Sequence, residues 1–367
     1  MNTVDPKELK AKKNCLLVFR NKKINDFAQA EGIIEGFAAS GYYFDKISYV
    51  AYDKSEEIVH ALLGSKENYE NTVILCPLQM ESMFKSFIAH QYCSHFDEKG
   101  MLSSEKENVF LLLSDGENKL SVEEITRVLD EKYAVKYEKA YIRAVGIPPE
   151  KLNNAIASAR AAAENLQFNV SEAFGDCRLE IVYSDKTPKS VFDKAFRALV
   201  EKLNEYIYSL DDSTLAERLY QLLKLRRMKI SVAESFTGGG IAKKLVEVPG
   251  ISEVYFEGIN SYSNESKIQR LGVDKFTISR YGAVSEQTAH EMATGLLNGG
   301  NCSVAIATTG IAGPKSDNTS KPVGLIYIAA GTQDNVNVYK FNLNGGRECI
   351  TNTAINLALF LAYKALK

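Results

Sequence analysis

Apolar positions along the chain follow two alternating rhythms. Compact runs rich in Val, Ile and Leu at Asn14–Phe19, Lys46–Tyr52, Thr72–Cys76 and Val109–Leu113 read as buried strands. Between them, apolar residues three and four apart predict helices over Ile24–Ala39, Lys54–Leu63 and Gln79–His90. Ser121 and Glu124 form a capping box for a helix to about Lys132, with Ile125, Val128 and Leu129 on one face. Such alternation argues for a parallel sheet with helices on both faces, and this first unit is expected to occupy residues 1–166.

The rhythm then changes. Two strands flank a Gly175-Asp176 turn, and a helix from about Pro188 to Tyr206 carries Val191, Ala195, Leu199 and Leu203 as one stripe. This is a small α+β unit over residues 167–208. A third unit, 209–367, opens with a second capping box, Thr214 with Glu217, ahead of an apolar face of Leu215, Leu219, Leu222 and Leu223. Strands are expected at Met228–Glu234, Val254–Ser263, Cys302–Thr308, Val323–Thr332 and Val336–Leu343, the last two an antiparallel pair about Gln333-Asp334-Asn335. Helices are expected from about Gly239, after Asn264 as a cap, from Ser285 to about Leu297, and over Arg347–Leu366.

Composition narrows the function classes. With 367 residues, 44 Lys+Arg against 46 Asp+Glu and a net charge of −2, the chain lacks the basic excess of a phosphate-backbone binder, so no direct nucleic-acid binding is expected. Its hydrophobic fraction of 45% and charged fraction of 25% are ordinary for globular domains. The charged N-terminus reads as no signal peptide, and no run reaches the ~18 apolar residues of a membrane span. Six scattered cysteines with no CxxC read as reduced thiols, pointing to the cytoplasm. His90-x-x-Cys93-x-His95 has no second cluster to complete a tetrahedral site, so no metal is expected.

Candidate chemistry collects where strands of the third unit end. Glu234-Ser235-Phe236-Thr237-Gly238-Gly239-Gly240 leaves a strand and enters a helix, where free N–H groups favour an anion or a developing oxyanion. Tyr262 ends the next strand, and Lys267 lies in the first turn of the following helix, where the dipole lowers its proton affinity. Thr309 and Gly310 sit in a third strand-end loop. Arg347 begins the last helix against its dipole, a placement explained by a bound anion such as a phosphate. His290, the one histidine of this unit, falls off the apolar stripe of its helix, which argues against a Ser-His-Asp triad. A nucleophilic Ser235 therefore needs Tyr or Lys as its activator.

In order and spacing, VAESFTGGGIA, YxNESK, YGAVSEQTAHEMATG, TTGIAGP and KPVGLIYIA resemble the C-terminal domain of the CinA family. Members of that family act as nicotinamide-nucleotide amidohydrolases. The resemblance implies an α/β/α domain with a mixed sheet in which Ser235 attacks the carboxamide of nicotinamide mononucleotide, with Tyr262 and Lys267 at the other catalytic positions. Thr237, Gly238, Gly239, Asn264, Thr309, Gly310 and Arg347 are the implied substrate-binding residues, Arg347 at the 5′-phosphate. Which of Tyr262 and Lys267 is the base stays open. No cofactor is implied, and a homodimer is. Phe236 stands where the family commonly has Cys. The first unit resembles the family's doubly wound, molybdopterin-binding-like N-terminal domain in element order only. Arg20-Asn21-Lys22-Lys23 and Cys76-Pro77-Leu78-Gln79-Met80 replace its glycine-rich loops, so ADP-ribose pyrophosphatase activity is expected to be absent. A non-catalytic nucleotide-binding or interaction protein of the competence/DNA-damage type is the competing reading.

Overall fold

The computed structural model describes residues 13–20, 28–104, 106–163, 165–316 and 320–367. It is an α/β protein with three sheets among the described residues. In chain order the first elements are β1 (Asn14–Arg20), α1 (Ala28–Ala39), β2 (Lys46–Ala51), α2 (Ser55–Asn68), β3 (Asn71–Cys76), α3 (Glu81–Tyr92), β4 (Met101–Ser103), β5 (Asn108–Leu113) and α4 (Val122–Tyr133). The sheet order is β2-β1-β3-β5-β4, parallel except for the short edge strand β4. Alternate residues of the central strands face opposite ways. Cys15, Leu17, Ile74 and Leu111 meet α2 and α3, whereas Leu16, Val18, Val73 and Phe110 meet α1 and α4. Each strand is thus buried on both faces, which is why it reads as a continuous apolar run. The Ser121–Glu124 capping box forms as expected. The first four residues of the expected Ile24–Ala39 helix, and Asn21-Lys22-Lys23, lie outside the described residues.

The small unit starts earlier than expected. Strand β6 (Tyr137–Val145) and helix α5 (Pro149–Ala162) precede β7 (Gln167–Ala173), β8 (Asp176–Ser184), α6 (Lys189–Leu203) and β9 (Ile207–Ser209). These strands form one sheet, β7-β8-β6-β9, so a break at residue 166 would divide it. Two compact units result, 1–139 with 182–189, and 140–181 with 190–367.

The remaining elements are α7 (Leu215–Arg226), β10 (Ile230–Glu234), α8 (Gly240–Val246), β11 (Tyr255–Asn260), α9 (Asn264–Leu271), α10 (Lys275–Tyr281), α11 (Glu286–Asn298), β12 (Val304–Gly310), β13 (Leu325–Thr332), β14 (Val336–Asn342) and α12 (Arg347–Ala365). The sheet order is β11-β10-β12-β13-β14, with β11, β10 and β12 parallel and the last two strands antiparallel. One face packs Ile230, Val232, Ile306 and Ile328 against α7, α8 and α12. The other presents Ala233, Ala305, Ala307 and Ala329, small side chains that bring α9 and α11 close to the strands. Helix α9 is capped by Ser263, not Asn264, which is its first residue.

Two contacts fix the frame around the strand ends. A Cβ on Gly295 of α11 would lie 1.9 Å from the Leu271 carbonyl oxygen, so α9 rests directly on a glycine. On α12, buried Asn356 accepts from Lys244 of α8 and donates to the carbonyls of Ala173 and Phe174 in the β7–β8 hairpin. Among the described residues no helix is long and apolar enough to cross a membrane.

Candidate active site

Strands β10 and β12 run side by side, but the chain leaves them for opposite neighbours, and a crevice opens at such a reversal of strand order. Ser235 follows the last residue of β10, and Thr309 and Gly310 end β12. Ser235, Tyr262, Asn264, Lys267, Thr309, Gly310 and Arg347 all line one cavity of about 480 Å³ there. Seven of the ten expected site residues are thereby brought together.

Lys267 is 1% exposed, and its Nζ lies 3.0 Å from Ser235 Oγ. It also donates to the carbonyls of Ser261 at 2.6 Å and Tyr262 at 3.3 Å. Burial penalises the ammonium and lowers the Lys267 pKa from 10.5 to about 8. Desolvation, rather than the helix dipole invoked from the sequence, is the cause. A neutral amine has two N–H groups and one lone pair. As the ammonium, Nζ donates to Ser235 Oγ; once neutral, with its two hydrogens held by the carbonyls, it has a lone pair to accept the hydroxyl proton.

The glycine turn works differently from the sequence expectation. Thr237, Gly238 and Gly239 are not part of the cavity lining. The anion at the start of α8 is the protein's own. Glu234, 1% exposed, accepts from the N–H groups of Gly239 at 3.1 Å, Ile241 at 3.1 Å and Ala242 at 2.9 Å. Its carboxylate thus satisfies the donors that the sequence assigned to substrate. Gly239 adopts φ 97°, the left-handed conformation that lets the chain double back onto Glu234. Thr237 Oγ1 lies 2.7 Å from Thr308 Oγ1 and ties the turn to β12. Ser235 N–H donates to the Thr308 carbonyl, and the Glu234 carbonyl accepts from Ser261 N–H. Ser235 and Lys267 are therefore held in one backbone network.

The other residues divide by exposure. Tyr262 is 67% exposed, and its carbonyl, not its phenol, is what touches Lys267. Thr309 is buried, and its hydroxyl donates to the Ala283 carbonyl, joining β12 to the 282–284 turn that forms another wall. Gly310 faces Ile326 across the antiparallel pair, where a Cβ would fall 2.6 Å from that side chain. Exposed Arg347 donates to the Gly313 carbonyl at 2.8 Å. His290 is exposed and absent from the lining, as its helical position implied. Sequence reasoning missed Glu234 and Gly295. An ionisable residue closing an apolar strand before glycines, and a glycine inside a helix, were the available signals.

Residues 212–366 match the family model of the CinA C-terminal domain. A CinA-like protein of Kosmotoga olearia is 46% identical over 166 residues, covering 45% of this chain and 40% of its own. A putative competence-damage inducible protein of Caldicellulosiruptor saccharolyticus is 40% identical over 192 residues, covering 52% of this chain and 47% of its own. Among solved structures, the competence/damage inducible protein CihA of Agrobacterium tumefaciens is 37% identical, with 42% of this chain and 94% of that one covered and a TM-score of 0.41. The chain spans less than half the length of these two curated relatives. Residues 212–366, which hold the paired Ser235 and Lys267, thus form a CinA C-terminal domain.

Proposed function

We propose that the C-terminal domain hydrolyses the carboxamide of nicotinamide mononucleotide to nicotinate mononucleotide and ammonia. The observation that carries this reading is the buried Lys267 amine 3.0 Å from Ser235 Oγ, in a cavity that Arg347 also lines. Lys267 is the base. It takes the hydroxyl proton as Ser235 Oγ bonds to the carboxamide carbon, and the carbonyls of Ser261 and Tyr262 hold the ammonium so formed. Collapse of the adduct breaks the C–N bond, and the proton passes from Lys267 to the departing nitrogen, which leaves as ammonia. The same amine then deprotonates water for attack on the acyl-serine, and returns that proton to Ser235 as the ester opens. The exposed Tyr262 ring offers its face to the cationic pyridinium. Arg347 receives the phosphate.

Ammonia release from nicotinamide mononucleotide by the full chain tests this. Ser235→Ala is expected to lower the rate by ~10³-fold or more. Binding of the nucleotide without turnover by the unsubstituted chain would favour the non-catalytic reading instead.

A further inference from the structure

Among the described residues, three cationic side chains line the cavity, Lys267, Lys315 and Arg347, and none of the lining residues is Asp or Glu. That is a local excess in a chain whose net charge is −2. Lys267 is buried and bonded to Ser235, so it belongs to the chemistry. The Arg347 guanidinium is tethered to the Gly313 carbonyl, two residues before Lys315. Lys315 itself is exposed and makes no hydrogen bond or ion pair with any described residue. Lys321 Nζ donates to the carbonyls of Tyr281 at 2.7 Å and Val284 at 2.6 Å. Among the described lining residues, an ammonium without a hydrogen-bond partner and a tethered guanidinium, with no carboxylate lining the same cavity, suit a doubly charged group better than a singly charged one.

We infer that Lys315 is a specificity-determining residue which, with Arg347, selects substrates bearing a phosphate monoester dianion over the uncharged nucleoside. The inference rests on the amidohydrolase reading for its substrate and deepens it. Lys315 supplies ground-state binding remote from the reacting carbon, so it acts on KM and leaves kcat in place.

The experiment compares the full chain with Lys315→Ala and Lys315→Glu, using nicotinamide mononucleotide and nicotinamide riboside at low and high salt. For the mononucleotide, KM is expected to rise about threefold in the first variant and about tenfold or more in the second, with kcat within about twofold. The effect shrinks as salt is raised, and turnover of the riboside is unchanged. A mononucleotide KM within twofold of the unsubstituted chain, or an equal loss on both substrates, overturns the inference. Calorimetric binding of nicotinate mononucleotide to the same three proteins needs no catalysis. If the unsubstituted chain turns over neither substrate, the amidohydrolase reading fails, and this arm alone decides on Lys315. Weaker binding by Lys315→Glu then supports it, and equal binding overturns it.

Discussion

The two five-stranded sheets share a plan and differ in what they leave at its centre. In each, the chain passes from a central strand to a neighbour on one side and returns on the other, giving β2-β1-β3 in the first and β11-β10-β12 in the second. Both therefore offer a crevice at the carboxyl ends of parallel strands. In the second sheet those ends carry Ser235 and Thr309, and α9 swings Lys267 in beside them. In the first, β3 runs into Pro77, and the next N–H, on Leu78, is taken by Asp115 Oδ1 at 2.6 Å. The Cys76 carbonyl is likewise used by Ser114 N–H. Topology supplies the place. Chemistry depends on which polar atoms at the strand ends are already spent within the fold. Glu234 makes the same point inside the second sheet, by taking up the N–H groups of Gly239, Ile241 and Ala242 at the start of α8.

The largest effect expected at the second crevice is that of Lys267→Met, which removes the proposed base and keeps much of the side chain's length. A loss of about 10³-fold in kcat/KM is expected, with the melting temperature unchanged or raised because a costly buried amine is gone. Retained activity would move the base to another group. A smaller loss is expected from Gly295→Ala, where the new methyl meets the Leu271 backbone. Chemical denaturation is expected to show destabilisation of about 1–3 kcal/mol, with kcat falling as α9 and its lysine are displaced. An unaltered kcat at lower stability would separate the helix seat from catalysis.

For the unsubstituted protein, with Lys267 titrating at about 8, the pH profile of kcat/KM should climb roughly tenfold between pH 7 and pH 9 as the amine becomes neutral. The same lowered pKa has a stability sign. Between about 8 and 10.5 the unfolded chain binds the proton that the folded one has lost, so this group makes folding more favourable as pH rises through that window. A flat activity profile would place the limiting proton transfer elsewhere. The smallest effect concerns the first crevice. A full chain carrying Ser235→Ala, given ADP-ribose, is expected to release no AMP, and release detected by chromatography would show that this sheet too has kept a reactive end.

Much of this was legible in the residues because it is local. The two capping boxes, Ser121 with Glu124 and Thr214 with Glu217, both close as their spacing implied. Apolar runs marked the buried strands, and strand-end polar residues marked the crevice. What escaped depends on distant partners. Strand β6 pairs with β9, more than half a hundred residues onward, so its membership of the small sheet has no local sign. Helix α10 is short, and Phe276 is 81% exposed, which obscures any apolar face. Glu234 looked like the polar end of a strand, because nothing in its neighbours says that the next turn folds back onto its carboxylate. For Lys267 the direction of the shift was legible but not its origin, since burial arises only once β10, β11 and α9 have assembled.

Asn356 carries a consequence for how the polypeptide can be divided. Its amide group spans two folds, taking a proton from α8 and giving two to the tip of the β7–β8 hairpin. A fragment trimmed to residues 209–367 would strand that amide on a helix otherwise lined with Ile355, Ala358 and Leu359. An aliphatic replacement at this single position would then be the natural companion of any such trimming.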